Sequence, residues 1–267
     1  MNARAFERYD SHFQRFRSFF SRKKRLAPDS PANQIRNFIE RDAYLFAAYG
    51  EQYRALRELI PAGEGPVVEI GAGTGIGRTW IPELTCTDVL ENDYVDTVVD
   101  ATSMPFEDSS LRALVLKDAL HHIPDVPSFF DEAVRCLQVG GAVVMCEPYW
   151  SPASRLVFRF LHPEPFDTRR ATWTSAANDP WDSNQAMAWI VLRRDRKILH
   201  DRWPMFEVEE FQPVLGPSYL ASGGVFGRTA IPSGILEGIH AWERKRKSLL
   251  NPFRFEIVFR LTKTHEQ

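Results

Sequence analysis

The chain has 267 residues, 44% hydrophobic and 25% charged, with a formal net charge of -2. That length suits one large α/β domain with an elaboration or two small domains, and the composition excludes a disordered or fibrous protein. The near-neutral balance gives no global signal for nucleic acid. The scattered Cys86, Cys136 and Cys146 make neither a disulfide framework nor a zinc pattern, so they read as small core residues of a reducing compartment and no metal is expected.

Residues 4–20 read as a helix with Phe6, Tyr9, Phe13, Phe16 and Phe20 on one face. Arg4, Arg8, Arg15 and Arg17 lie around it, and Arg22-Lys23-Lys24-Arg25 follows. Two readings stay open: a helix docked on the rest of the molecule, or an interfacial helix making peripheral membrane contact through residues 4–25. The start lacks a signal-peptide core, and no run of about 18 apolar residues occurs, which predicts a cytoplasmic protein.

Ala27-Pro28-Asp29-Ser30-Pro31 is a linker by composition. Residues 32–60 return to helical spacing with Ile35, Phe38, Ile39, Leu45, Tyr49, Tyr53, Leu56 and Ile60. Pro61 to Pro66 breaks the helix before Val67-Val68-Glu69-Ile70, a short strand of the kind covered on both faces.

Gly71-Ala72-Gly73-Thr74-Gly75-Ile76-Gly77 follows at once. Glycines let a backbone turn sharply and approach a ligand closely, and a helix starting near Ile76 would aim free N–H groups at that ligand. A nucleotide-like cofactor is therefore expected here. The dinucleotide pattern G-x-G-x-x-G fails because position 76 is Ile, and no phosphate loop ending in G-K-S/T occurs.

Strand candidates then alternate with helices at 66–70, 84–89, 96–100, 112–117 and 141–147, which argues for a parallel sheet. Helices are expected near Ile76, after Asp118, and from Pro127 to about Leu137, with Gly140-Gly141 as the stop. Acidic residues end successive strands: Glu69, Asp88 and Asp100. Ligands of such sheets bind beyond the carboxyl ends of the strands. Each acid alone also suits a helix cap or turn.

The acid before G-x-G-x-G resembles motif I of the class I S-adenosylmethionine-dependent methyltransferases. Asp100-Ala101-Thr102-Ser103-Met104-Pro105-Phe106, Ala119-Leu120-His121-His122-Ile123-Pro124-Asp125 and Glu132-Ala133-Val134-Arg135-Cys136-Leu137-Gln138-Val139-Gly140-Gly141 resemble three further segments of the small-molecule, "methyltransferase 11"-like group. Gln138 and Val139 depart from the usual Lys-Pro. The resemblance covers about residues 60–148.

It implies an α/β fold with a doubly wound, mostly parallel seven-stranded sheet, preceded by N-terminal helices and carrying an insertion before a C-terminal hairpin. The implied parts are an N-terminal extension (1–60), a cofactor-binding core (61–148), a substrate-side insertion or lid (149–205) and a completion of the sheet (206–267). The cofactor would be S-adenosylmethionine. Gly71, Ala72, Gly73 and Gly75 would hold its methionyl end, with Glu69 helping through its amine or by fixing the loop, Asp88 would hold its ribose, and Asp100 with Ala101 its adenine. Glu91 or Asp93 takes the ribose if the second strand ends later. Lys117 would line the pocket through its backbone, with its ammonium turned away or paired with Asp118.

Beyond Pro148 the pattern changes, with five tryptophans in residues 149–205 that read either as a lid or as core. His121 and His122 are candidate bases for a hydroxyl acceptor, beside the bland reading of packing or cofactor positioning. His162 and Glu164 in the insertion are further candidates. Glu147, Tyr149 and Asn184 are candidate acceptor contacts. Residues 206–213 with 253–262 would supply the hairpin that the resemblance implies, and the alternation from Phe253 to Leu261 predicts one buried face on its second strand.

The expected activity is methyl transfer to a small-molecule or glycan-like acceptor, at oxygen first, within a biosynthetic pathway. N- or C-methylation and a catalytically inactive cofactor-binding partner subunit are the alternatives. The missing N-P-P-aromatic motif and the slightly negative charge argue against nucleic acid.

Overall fold

The computed structural model describes residues 31–160, 164–175, 183–210, 213–224, 231–246 and 249–265. The aromatic helix expected at 4–20, its basic tail and His162 lie outside the described residues.

The helical stretch expected over 32–60 is two helices, α1 (Pro31–Arg41) and α2 (Ala43–Leu59). Asp42 makes the break. Its backbone is extended and its carboxylate accepts the Leu45 amide at 2.9 Å, so it ends one helix and caps the next.

The strands are β1 (Val67–Ile70), β2 (Leu84–Asp88), β3 (Thr97–Val98), β4 (Leu111–Lys117), β5 (Leu137–Pro148), β6 (Phe206–Glu210) and β7 (Glu256–Lys263). They form one seven-stranded sheet in the order β3-β2-β1-β4-β5-β7-β6. β1 to β5 run parallel, and β7 runs antiparallel between β5 and β6. This is the expected doubly wound sheet with its C-terminal antiparallel pair. The strand order reverses between β1 and β4, where such sheets open a ligand crevice at their carboxyl edge.

Three sequence expectations are corrected. No long helix starts at Ile76: residues Ile76–Thr79 make one 3-10 turn, because Pro82 and the start of β2 at Leu84 leave no room for more. After Asp118 there is likewise only the 3-10 turn Leu120–His122. Gly140-Gly141 does not stop a helix. Helix α3 (Val126–Cys136) ends where Leu137 turns extended, and both glycines lie inside β5, with Gly140 at φ 83°.

Two cores cover the two faces of the sheet. Val68, Ile70, Leu114, Leu116, Val143 and Met145 face one side, with Phe129 and Phe130 of α3. Trp173, Met187, Ile190 and Trp203 pack into that same core, so part of the 149–205 segment is structural cover for the sheet. It comprises α4 (Pro152–Phe160) and a short helix Met187–Trp189 that runs through the π-turn Ile190–Arg194 into α5 (Arg196–Arg202). The opposite face carries Val67, Ala113, Val115, Ala142, Val144 and Val258 under α2. Two further helices, α6 (Pro217–Ser222) and α7 (Ser233–Arg244), complete that side. The alternation follows from the pleat, which sends successive side chains to opposite faces.

The expectation of one buried face on β7 also fails. Glu256, Lys263 and the preceding Arg254 are buried as well as the apolar set. Backbone carbonyls meet part of this charge inside: Lys263 Nζ donates to Leu137 O at 2.9 Å, and Arg254 Nη2 donates to Glu243 O at 3.1 Å. The cysteines are free and buried, as expected. Among the described residues no helix is long and apolar enough to cross a membrane.

Candidate active site at the carboxyl edge of the sheet

β1 delivers the glycine turn to the crevice. Gly71, Gly73 and Gly75 all have left-handed backbones, with φ of 72°, 52° and 59°. A side chain at Gly75 would meet Tyr94 at 2.9 Å, and one at Gly77 would meet Tyr53 at 2.6 Å, so those two glycines serve packing. At Gly73 an added Cβ would meet nothing within 4 Å, so this is where the loop opens outward.

Asp88, ending β2, clasps the loop. One carboxylate oxygen accepts the Gly73 amide at 2.9 Å and the other accepts the Leu90 amide at 2.9 Å. Burial pushes its pKa up, against the lowering effect of these amides. A carboxylate offers about four acceptor positions, so those two bonds leave acceptor capacity for a ligand hydroxyl. Beside it Val89 and Leu90 are exposed apolar surface. Open space at Gly73, an acid with spare acceptors and an adjoining apolar surface together fit a nucleoside with a diol. Asp100 is exposed and closes a turn on the Thr102 amide at 2.8 Å and hydroxyl at 2.7 Å, with Ala101 half-buried next to it.

Other residues assigned to the cofactor sit differently from expectation. The amides of Ala72 and Gly75 are spent on Thr87 O of β2 and on Ala72 O within the loop, both at 2.9 Å. They brace the turn and offer no donor to a ligand. Glu69 does not face the crevice. It is buried, accepts from Tyr53 Oη at 2.7 Å and lies under Gly77. Burial raises its pKa to about 7, against the lowering pull of Tyr53 and Lys117. Of its two suggested roles, the geometry is that of fixing the loop from below.

One contact at this loop had no sequence signal. Arg36 of α1 donates to Thr74 O at 3.0 Å and lies 4.7 Å from the Tyr94 ring centroid. Asn92 Nδ2 donates to Gly73 O at 3.0 Å. Together they hold the loop by its carbonyls, while Asp88 holds it by the Gly73 amide.

β4 and β5 bring two charged clusters to the same edge. On the α2 side Lys117 pairs with Asp118 at 2.6 Å and lies 4.4 Å from the Tyr49 ring centroid. Burial alone would lower Lys117, but Asp118, Tyr49 and Glu256 hold it well above its usual value. Asp118 is held low by Lys117 and His121 despite burial, and its backbone is left-handed at φ 52°. Glu256 accepts from Gln52 and from the Cys146 thiol, and burial pushes its pKa up.

On the other side His121 Nδ1 meets Glu147 at 2.8 Å, and its Nε2 lies 3.6 Å from Glu164. Burial would lower this imidazole, but Glu147, Glu164 and Asp118 raise it to about 9. With Glu147 at one ring nitrogen and Glu164 near the other, His121 is engaged by carboxylates on both sides and is not the open base the sequence suggested. His122, half-buried, packs on it with ring centroids 4.3 Å apart.

The remaining candidates are mostly structural. Glu147 is fully buried and takes the Ala119 and Leu120 amides at 2.9 and 2.8 Å besides His121, so it orients the histidine and not an acceptor. Asn184 is buried and exchanges hydrogen bonds with the Asp167 backbone at 2.9 and 3.0 Å, which withdraws its amide from any acceptor. Tyr149 is half-buried against the first core, its amide on Phe255 O at 2.7 Å. Glu164 is buried and accepts from Gln185 at 3.0 Å. Beyond it, Phe166 stacks between Trp150 and Phe158, at centroid distances of 4.4 and 4.7 Å.

The family described as methyltransferase domain matches residues 68–145. A demethylmenaquinone methyltransferase of Streptomyces avermitilis is 32% identical over 68 residues, 24% of this chain and 29% of the relative. Its counterpart from Clavibacter sepedonicus is 28% identical over 120 residues, 39% of this chain and 49% of the relative. The matches thus span less than half the length of these curated relatives. Among solved structures, geranyl diphosphate C-methyltransferase from Streptomyces coelicolor A3(2), in complex with Mg2+, geranyl diphosphate and S-adenosyl-L-homocysteine, aligns with TM-score 0.49. It is 16% identical, over 92% of this chain and 87% of that chain.

Proposed function

Residues 68–145 belong to the class I S-adenosylmethionine-dependent methyltransferases, and from that premise we propose that the chain transfers a methyl group from S-adenosylmethionine to a small-molecule acceptor, at oxygen. The observation that carries the reading is the left-handed glycine turn clasped by Asp88 at the strand-order reversal, open to space at Gly73.

S-adenosylmethionine, when bound, supplies an electrophilic methyl group on a cationic sulfur. Asp88 accepts from the ribose hydroxyls, Val89 and Leu90 cover the adenine face, and Asp100 with Ala101 lies at its edge. Gly71 and Gly73 give close backbone approach to the methionyl part. Glu69, Arg36 and Asn92 act indirectly by holding the loop in shape before the ligand arrives, which lowers the ordering cost of binding.

The acceptor lies past the ends of β4 and β5. His121 and Glu147 anchor that edge, and half-buried His122 is the imidazole placed to take a proton from an acceptor hydroxyl. The Trp150–Phe166–Phe158 stack supports an acceptor with a planar ring or a sugar face. Methylation at a ring carbon beside a hydroxyl is the second reading. The observation behind it is that both curated relatives are named demethylmenaquinone methyltransferases. An acceptor panel of phenols, hydroxyquinones and glycosides, incubated with methyl-labelled S-adenosylmethionine and analysed by mass spectrometry, tests the proposal. Label on oxygen supports the first reading, label on carbon the second, and no transfer to any acceptor despite cofactor binding favours a non-catalytic partner subunit.

A further inference from the structure

His121, His122 and Glu164 each bring one ligand-capable atom into a space where these atoms all lie within 4.8 Å of one another. His121 and Glu164 are buried and His122 is half-buried, so protein closes the cluster on most sides. His121 Nε2 and Glu164 Oε2 stand 3.6 Å apart. Two ligand atoms about 2.0–2.1 Å from one tetrahedral zinc ion stand roughly 3.4 Å apart. The pair therefore needs only a small movement to share an ion.

The contacts behind these groups are those a metal-binding histidine requires. The other ring nitrogen of His121 meets Glu147 at 2.8 Å, and Glu147 is itself fixed by the Ala119 and Leu120 amides at 2.9 and 2.8 Å. A carboxylate on the far nitrogen sets the tautomer and ring direction of a ligating imidazole. Gln185 Nε2 holds Glu164 at 3.0 Å, an outer contact on the third ligand as well. Two carboxylates around one buried imidazole also leave a place that favours a cation.

We propose that His121, His122 and Glu164 bind one divalent transition-metal ion, with Zn2+ the best match to the donor set. Two imidazole nitrogens and one carboxylate select zinc-like ions over Mg2+, which prefers an all-oxygen shell. Three protein ligands are the count at which zinc keeps a position for an exogenous oxygen. In the methyl-transfer reading that oxygen is the acceptor's hydroxyl, which the ion would hold and polarise, with His122 then a ligand and not the base. That consequence rests on the proposed function, whereas ion binding stands on the geometry alone. No ligand spacing announced the site, because Glu164 lies far along the chain from the adjacent histidines.

The test uses the purified full-length chain, stripped with a chelator and dialysed. It is titrated with Zn2+ against a chromophoric competitor, with Mg2+ in parallel, and bound metal is counted by elemental analysis. We expect about one tightly held Zn2+ per chain, no comparable Mg2+, and visible ligand-field bands with Co2+ in its place. Glu164→Gln and His122→Asn, checked for fold by circular dichroism, should each weaken Zn2+ by more than the roughly 10–100-fold typical of losing an outer contact. His200→Asn, at an exposed histidine, should leave it unchanged. Absence of stoichiometric Zn2+ in the wild type overturns the proposal, as does Zn2+ binding undiminished in both folded variants. Zn2+ binding without S-adenosylmethionine binding would uphold this site and count against the methyl-transfer reading, so the two fail separately.

Discussion

Replacing Glu69 by Gln should stabilise the protein above pH 7, although Glu69 is the acid of the glycine motif. Its carboxyl is buried beneath Gly77 against Tyr53, and burial raises its pKa from 4.5 to about 7. Between those values the unfolded chain has lost the proton that the folded chain keeps. Stability therefore falls as pH rises through this window and stays reduced above it. At about 1.4 kcal/mol per tenfold, the rise corresponds to about 3 kcal/mol. Glutamine keeps the shape and the acceptor for Tyr53 but never ionises. Wild type and Glu69→Gln should match within about 1 kcal/mol at pH 4.5, and the variant should lead by up to about 3 kcal/mol at pH 8. Glu256 is raised in the same sense by burial and adds its own fall to both proteins, so the difference between them isolates Glu69. Urea denaturation followed by fluorescence at pH 4.5, 6 and 8 measures it. A variant less stable than wild type at pH 8, or a gap that does not change with pH, would refute the buried-proton argument.

Asp88→Ala removes the clasp on Gly73 and Leu90 and the acceptor for the ribose, so titration calorimetry should show S-adenosylmethionine affinity reduced about tenfold or more, the loss expected for hydrogen bonds to a charge. Near-normal affinity would defeat the ribose assignment. Two glycines of one loop should behave differently. Gly77→Ala pushes a methyl group against Tyr53 and should cost about 1–3 kcal/mol in denaturant melts. Gly73→Ala meets no atom and pays only for its left-handed backbone, about 1–2 kcal/mol, yet should weaken cofactor binding by narrowing the opening. His122→Ala should lower turnover while leaving the melting temperature and cofactor affinity close to wild type, and unchanged turnover would exclude it as the base.

The centre of the sheet was legible because β1, β4 and β5 are apolar runs, and burial on both faces writes such runs, whereas β3 is only two exposed residues. The site's first half was legible for the same reason, since Asp88 and the glycines sit at strand ends that the fold must bring together. What local pattern misjudged was length and partner. Nothing at Ile76 reveals that the chain must reach Leu84 as a strand within one turn. Gly140 has the form of a helix stop and serves as a left-handed residue within β5. The charged side chains of β7 read as an outer face because their alternation is real, and only the packing of α2 and α7 shows where they are buried. Arg36 on Thr74, and Glu164 beside His121, join segments far apart in sequence, and a side chain carries no mark of a distant partner. Such contacts decided several roles: Glu147 and Asn184 had acceptor contact as their expected task and are instead occupied by backbone amides and carbonyls.

The most direct test of the central claim is isothermal titration of the purified chain with S-adenosylmethionine, with NAD as a parallel control. The account predicts saturable binding of S-adenosylmethionine near one per chain, lost or strongly weakened in Asp88→Ala, and no binding of NAD. Binding of NAD in its place, or of neither ligand to folded protein, would contradict it.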